Sequence, residues 1–460
     1  MATRLVSVQG LGFGDCGKGL FIDALCRAMQ AHTVVRFNGG AQAAHNVVLP
    51  DGRHHTFSQF GAGSFHPGVH TLLAFPVIVH PTALLVESSY LQRAGVTDAL
   101  QRLVIDARCR LTTPFHQAAG RMRELARGAA AHGSCGVGVG ETVRHDLAHP
   151  ELTLRYADLA TPVRALDKLE ALRTTLLAAV SHDGVPDDVR AGWHEEQAVL
   201  RDGALARRWL EQAQQLVRHA PPAPHADVAA RLHLPGTVLF EGAQGVLLDE
   251  WRGFHPYTTW STIHTSAVEA VAADAGQHGR ITHLGAMRSY LTRHGNGPFP
   301  SHDPRLDLLP ERHNAAGGWQ GIFRRGHPDL VLLRYALAAI GRLDGLLVSH
   351  LDAFDRAPAL RWCEGYEVPL VAHGAYEAQL CQRNAQDAVI GLHQGARGDL
   401  EHQAGLTALL QQAAPRLAAQ PIASAAQFIE QLEQATGLPV AWGAFGPTWQ
   451  TVRRLKTDRL

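Results

Sequence analysis

Residues 10–20 read GLGFGDCGKGL, and they follow RLVSVQG at 4–10, a short apolar run with the make-up of a buried strand. GLFIDALCRAMQ comes next (19–30), with apolar residues at helical spacing. A strand, a glycine loop and a helix in that order bring backbone amides to a helix N-terminus, where phosphate binds. Two patterns overlap in the loop. Gly12, Gly14 and Gly17 satisfy the spacing of a dinucleotide fingerprint, and Gly12, Gly17 and Lys18 satisfy most of a phosphate-binding loop. The second reading is preferred. Lys18 directly follows the last glycine and is one of only three lysines, with Lys168 and Lys456. The second strand, in HTVVRFNGG (32–40), offers Arg36 where a dinucleotide site needs an acid for the ribose. Gly19 stands where a Ser or Thr would hold magnesium, which leaves Asp15 as the candidate metal ligand within the loop.

Working outward, HTLLAFPVIVHP (70–81) reads as a third apolar strand stretch, and HPTALLVESSYLQRAG as a helix ending at Gly95. Further strands are expected at TVLFEG (237–242), RITHLGAM (280–287) and GLLVSHLDAF (345–354). Strands alternating with helices predict an α/β fold with a mostly parallel central sheet, and ligands at the carboxyl ends of its strands. Residues 163–235 are Ala-, Leu-, Arg- and Gln-rich and helical in pattern, broken at SHDGVPDD and ending in HAPPAPHAD. A similar helical stretch fills 400–436. Both are read as cover or insertion on a single domain spanning 1–460, away from the active site.

The chain has 460 residues with 42 Lys and Arg against 42 Asp and Glu, so the net charge is zero. Such a balance gives no field for gripping nucleic acid or an anionic membrane, and small ligands are expected. No apolar run approaches the roughly 18 residues a membrane span needs. Cys16, Cys26, Cys109, Cys135, Cys363 and Cys381 are scattered without CxxC pairs. The expectation is a reduced, cytoplasmic protein without a zinc site, its 28 histidines showing no metal-ligand pattern.

Taken with the loop, FNGGAQAAHNVV, VLFEGAQGVLLDEWRGFHPYTTWS, RSYLTRHGNGPFPS and LLVSHLDAFD resemble the adenylosuccinate synthetase family, with a weaker echo at GAFGPTWQTV. That resemblance implies a GTP- and magnesium-dependent ligase in which GTP phosphorylates the 6-oxygen of IMP and the amine of aspartate displaces the phosphate. Asp15 is then the base that takes the ring proton and a magnesium ligand, joined by the carbonyl of Ala44. His45 donates to the transferring phosphoryl. Gly14, Gly17, Lys18 and Gly19 hold the GTP phosphates, Lys18 also acting in catalysis, while Asp352 reads guanine and Gly446 belongs to the same nucleotide site. Gln244 is a catalytic amide that binds the nucleotide substrate, together with Gln42, Thr259, Ser134 and Cys135, the last two in a substrate-phosphate loop, HGSCGVGVG (132–140). The chemistry is coherent, because phosphoryl transfer needs positioning and charge neutralisation, and a carboxylate makes the oxo group nucleophilic. The family also implies a homodimer whose partner lends an arginine from just beyond that loop; Arg144 and His149 are both candidates.

Several positions depart from the family pattern. Gln42 stands for Asn, Ala44 for Gly, Cys16 for Glu and His350 for Lys. The largest departure is the amine-donor segment, NAAGGWQGIFRRGHPDL (314–330), where the family has Thr and Arg. Trp319, Gln320, Ile322 and Phe323 fill much of it, leaving Arg324 as the candidate carboxylate partner beside Arg325. Apolar and aromatic residues suit a less charged amine than aspartate, whereas a dicarboxylate prefers guanidinium forks and hydroxyls.

Overall fold

In the computed structural model, residues 3–180, 184–311, 313–314, 319, 321–356, 359–369 and 377–456 are described. A ten-stranded sheet runs through the chain. Its strands, in chain order, are β1 (Thr3–Gly10), β2 (Ala31–Arg36), β3 (His70–Leu73), β4 (Leu103–Asp106), β5 (Pro222–Ala223), β6 (Gly236–Gly245), β7 (Ile281–Arg288), β8 (Gly345–Ser349), β9 (Val440–Ala444) and β10 (Val452–Arg454). The spatial order is β10-β9-β8-β7-β1-β6-β2-β3-β4-β5, with every neighbour parallel except β9 and β10. Strand β1 is flanked by β6 and β7 and is buried from Leu5 onward, and Val6 and Val8 have no exposed surface. Burial on both faces explains why the central strands read as continuous apolar runs.

Helix α1 (Lys18–Met29) packs behind the glycine loop, α2 (Pro81–Arg93) follows β3, and α3 (Pro114–Ala126) and α4 (Val139–Ala148) flank the loop 132–138. Helix α2 starts at His80, whose ring accepts from the Ala83 amide, with Pro81 in the first turn. The 163–235 stretch forms helices at Pro162–Ala179, Arg190–Arg201, Gly203–His219 and His225–Leu232, the last two separated by β5. Part of the expected break, 181–183, lies outside the described residues.

Three expectations need correction. The 70–81 run is two pieces: β3 ends at Leu73, and Ile78–Val79 pairs instead with Arg110–Leu111 after the turn at Phe75 and Pro76. The soft run HAPPAPHAD supplies edge strand β5, where proline is tolerated because one side of the ladder is unpaired. The 400–436 stretch is not continuous helix. Helices Leu400–Gln411 and Ala425–Thr436 enclose a strand, Ala414–Leu417, which pairs with Cys363–Glu367 in a small antiparallel sheet.

Candidate active site

The carboxyl ends of β1, β6 and β2 meet around the glycine loop. Gly17 caps α1 with φ 80, and a Cβ there would lie 2.7 Å from the Ser349 Cβ, so both conformation and space demand glycine. At Gly19 a Cβ would lie 2.6 Å from the Asn46 carbonyl oxygen, which is how closely the helix meets the hairpin His45–Val48/His54–Phe57. Lys18 is buried, its ammonium donating to the Gly14 carbonyl at 2.7 Å and approaching the Cys16 sulfur at 3.4 Å. The lysine therefore stays inside the loop and does not border the large cavity beside it. Asp352 and Gly446 also lie away from that cavity, on the turns after β8 and β9. Asp352 accepts from Arg356 at 2.8 Å, and Ser349, three residues before it, donates to the Cys16 carbonyl, tying this end of the sheet to the loop.

The cavity, about 550 Å³, brings together Gly14, Asp15, Gln42, Ala44, His45, Ser134, Cys135, Gln244 and Thr259. These come from five separate stretches of sequence, and their convergence supports reading them as one site. Leu400 also borders the cavity, so the C-terminal helical stretch touches the site it was expected to avoid.

His45 is buried, its Nδ1 2.5 Å from the Glu241 carboxylate and its Nε2 2.9 Å from the Ala243 carbonyl oxygen. Burial, opposed by Glu241, holds the imidazole below the usual histidine range. Burial alone would raise the Glu241 carboxyl, but Arg36, then His45 and the Ala62 amide, more than offset it and hold it below the usual carboxylate range. Both ring nitrogens face acceptors, and the shorter contact, to Glu241, is the one that an N–H on Nδ1 makes. Nε2 has to leave the Ala243 carbonyl, and carry a proton, before it can donate to a phosphoryl group.

The side-chain amides of Gln42 and Gln244 are buried, and none of their oxygens and nitrogens finds a partner among the described residues. An unpaired buried amide costs about 1–3 kcal/mol, so two facing one cavity mark a place built for a polar ligand. Asn38 bridges the loops that carry them, donating to the Thr262 carbonyl and accepting from the Ala243 amide. Thr259 is held by its amide to the Leu248 carbonyl in a loop organised by buried Asp249, which accepts from the amides of Trp251, Arg252 and Ile263.

The glycine loop 132–140 holds an anion of its own. Glu124, on α3, accepts from the amides of Gly133 at 2.6 Å and Ser134 at 3.0 Å, while the Ser134 hydroxyl accepts from the Gly136 amide. Burial pushes the Cys135 thiol up, so it faces the cavity protonated, a weak donor. Of the two candidates beyond the loop, Arg144 borders this chain's own cavity and pairs with Glu141, whereas the His149 ring lies 5.4 Å from that of His145 and outside the lining.

Asp15 has one ionisable side-chain neighbour within ion-pair distance among the described residues, His294 at 3.6 Å. His294 ends the strand Leu291–His294, which pairs with Phe323–Gly326 from the amine-donor segment. Arg324 does not border the cavity; its guanidinium donates to the carbonyls of Gly295 and Gly297. Arg325 pairs with Asp307, Phe323 packs on His294, Ile322 is exposed, and Trp319 lies beside Gly136 with Arg121 over its ring. Gln320 lies outside the described residues. Sequence reasoning missed Glu124, Glu241's pairing with His45, and His294; His294 sits within the quoted RSYLTRHGNGPFPS segment, so its position, though not its neighbour, was visible.

Residues 7–452 match the adenylosuccinate synthetase family. Adenylosuccinate synthetase of Neisseria meningitidis serogroup C is 31% identical over 454 residues, covering 97% of this chain and 96% of that protein. That of Alkalilimnicola ehrlichii is 35% identical over 374 residues, covering 80% and 81%. Among solved structures, fully ligated adenylosuccinate synthetase of Plasmodium falciparum superposes with TM-score 0.76 at 19% identity, covering 98% of this chain and 100% of that one. Cyanophage S-2L succinoaminodeoxyadenylate synthetase, bound to dGMP and to dATP as energy donor, gives 0.60 at 16%, covering 99% and 97%. The two superpositions place the fold, the sequence matches place the lineage, and the chain belongs to the adenylosuccinate synthetase family.

Proposed function

We propose that this chain joins aspartate to IMP, with GTP as the phosphoryl donor, to give adenylosuccinate. The observation that carries the reading is the meeting, in one cavity, of the Asp15 carboxylate, the buried His45 imidazole and the unpartnered amides of Gln42 and Gln244. In this reading Asp15 removes the proton from N1 of the purine, so that electron density moves to the 6-oxygen. That oxygen attacks the γ-phosphorus of GTP, GDP leaves, and the amine of aspartate then displaces phosphate from C6. Gln42 and Gln244 orient the purine nucleotide. Thr259 and the amides around Ser134 and Cys135 face its phosphate. Lys18 and the glycine loop neutralise the GTP phosphates, and Asp352 accepts from guanine N1 and N2. His45 donates to the transferring phosphoryl, oriented by Glu241 behind it.

The donor set suits magnesium carried on nucleotide phosphates: no group of three His, Cys, Asp or Glu among the described residues could cage an ion by itself, while Asp15 and Ala44 share the cavity wall. Asp15 and the Ala44 carbonyl would hold the ion, which would supply charge neutralisation on the phosphates. No helix among the described residues is long and apolar enough to cross a membrane, and we place the enzyme in the cytoplasm as a homodimer, with 1–460 acting as one domain.

The test is a complete reaction with GTP, IMP, aspartate and magnesium, following adenylosuccinate absorbance and phosphate release together. Each omission is expected to abolish both signals. A complete mixture that yields neither sinks the reading, and phosphate release without adenylosuccinate rejects aspartate as the amine.

A further inference from the structure

Glu124 reaches from α3 to the loop before α4, and its carboxylate sits in a cradle shaped for an anion. Gly133 takes φ 76, which turns two successive amides to the same side and makes a nest for negative charge. Both amides are spent on one oxygen: Gly133 donates to Oε1 at 2.6 Å and Ser134 at 3.0 Å. The other oxygen, Oε2, accepts from Arg127 at 2.9 Å. Glu124 is buried, and it borders the cavity together with Arg127, Gly133 and Ser134. The bond between carboxylate and nest is therefore part of the cavity wall.

The rest of this end is paired in the same way. The Ser134 hydroxyl accepts from the Gly136 amide, and Glu141 Oε1 lies 3.0 Å from the Nε of both Arg123 and Arg144. A small anion entering here meets amides that a carboxylate already occupies. A phosphate dianion and Glu124 cannot share the nest, because both are negative and neither has a hydrogen to offer the other. A nucleotide arrives with more. Gln42 and Gln244, buried and unpartnered in the same cavity, can hold its base and ribose. Tethered to a bound nucleoside, the phosphate has a high effective concentration at the nest. Glu124 keeps Arg127 as its partner when it gives up the two amides.

We propose that Glu124 is a specificity-determining residue. It fills the nest of the empty site, so that inorganic phosphate, which the reaction itself releases, is kept out. Only a phosphate carried on a bound nucleotide displaces it. The inference rests on the reading of 132–140 as the loop that takes the nucleotide's phosphate.

The parent, E124Q and E124A are compared by two measurements: inhibition by inorganic phosphate at varied IMP, and calorimetric titration with IMP and with inosine. Glutamine keeps an oxygen for the two amides and loses the charge, so it tests the charge with the least change in shape. Phosphate is expected to inhibit both variants, competitively with IMP, at concentrations at least about tenfold lower than the parent needs, the worth of one charge-assisted hydrogen bond. IMP is expected to bind the variants more tightly than the parent, with inosine binding unchanged. A Glu124 that only supports the loop predicts weaker IMP binding and phosphate inhibition no stronger than in the parent; either result overturns the proposal. If E124A fails to fold, E124Q carries both measurements. IMP that binds no tighter than inosine to any of the three proteins removes the loop as a phosphate site, and the proposal with it. IMP that outbinds inosine by the same factor in all three leaves the loop in place and removes only the role of Glu124.

Discussion

Asp15 sits on the phosphate loop with no lysine or arginine within ion-pair distance among the described residues. Asparagine in its place keeps the shape and loses the proton acceptor. Asp15→Asn is therefore expected to cut turnover by about 10² to 10⁴ while GTP still binds; steady-state rates beside GTP titration check it, and near-parental turnover removes Asp15 from the mechanism. Asp352 carries the second prediction at this scale. Its bond to Arg356 is half exposed and worth little, so replacing the acid tests base recognition more than stability. Asp352→Asn leaves one guanine donor unpaired, at a cost of about 1–3 kcal/mol, and the GTP-to-ATP preference in kcat/KM should fall about tenfold or more. An unchanged ratio would mean that this acid is only part of a turn.

Strand β6 and the hairpin beside it work as a pair. Glu241, on β6, faces His45 on the hairpin and Arg36 at the end of β2, and all three are buried. Glu241→Gln takes away the only negative charge in that group. The buried Arg36 charge then loses its nearby counter-charge, and an uncompensated buried charge typically costs about 3–5 kcal/mol, so unfolding in urea should shift by that order, with kcat falling as His45 loses its orientation. A variant as stable as the parent would show that Arg36 finds compensation elsewhere. The strand pair Leu291–His294 and Phe323–Gly326 sets a different expectation. Its arginines are engaged with Gly295, Gly297 and Asp307, and Ile322 is exposed. Two missing charge-assisted hydrogen bonds, at about 1.5–3 kcal/mol each, should raise the aspartate KM a hundredfold or more above that of the Neisseria relative measured alongside. Comparable values would show that the arginines turn to the substrate when it arrives. These two elements also mark how far the sequence could be read. Glycine spacing around Asp15, Lys18, His45 and Gln244 was visible because backbone approach to phosphate demands it. The Glu241–His45 and Asp15–His294 contacts were not, because each joins distant segments through sheet order. Edge strand β5 and the small sheet holding Cys363–Glu367 were missed for a related reason: short strands of mixed polarity are decided by their partners.

Across the whole molecule, buried histidines tie stability to pH. His116 caps α3, its Nδ1 accepting from the Thr113 amide, and His80 caps α2 by accepting from Ala83. Burial, with smaller contributions from neighbouring histidines, pushes His116 down to about 3; burial takes His80 down to about 4. Both are neutral in the folded chain and titrate near 6.5 once unfolded. Between pH 6.5 and about 4 the unfolded state thus binds more protons, and stability falls with falling pH by about 1.4 kcal/mol per unit for each group. Two acids oppose them: burial raises Asp329 to about 6 and lifts Glu250 above its usual range, so both favour the fold as pH falls. His54, held down to about 4, and His350, held down to about 3, act in the same direction as the two caps, so four histidines against two carboxyls leave a net loss of at least about 1.4 kcal/mol per unit in that window. The carboxylates held below their usual range, Asp303 and Glu311 among them, contribute only below about pH 4.5, where their unfolded forms titrate. Urea unfolding at pH 7.5, 6.5, 5.5 and 4.5 is therefore expected to show constant stability between the first two points and a steady decline through the last two. Replacing His116 with Gln, which can still accept at the cap and never protonates, should flatten that decline by about one proton's worth. A free energy that stays level to pH 4.5, or the same slope in H116Q, would mean that these caps are not what acid attacks.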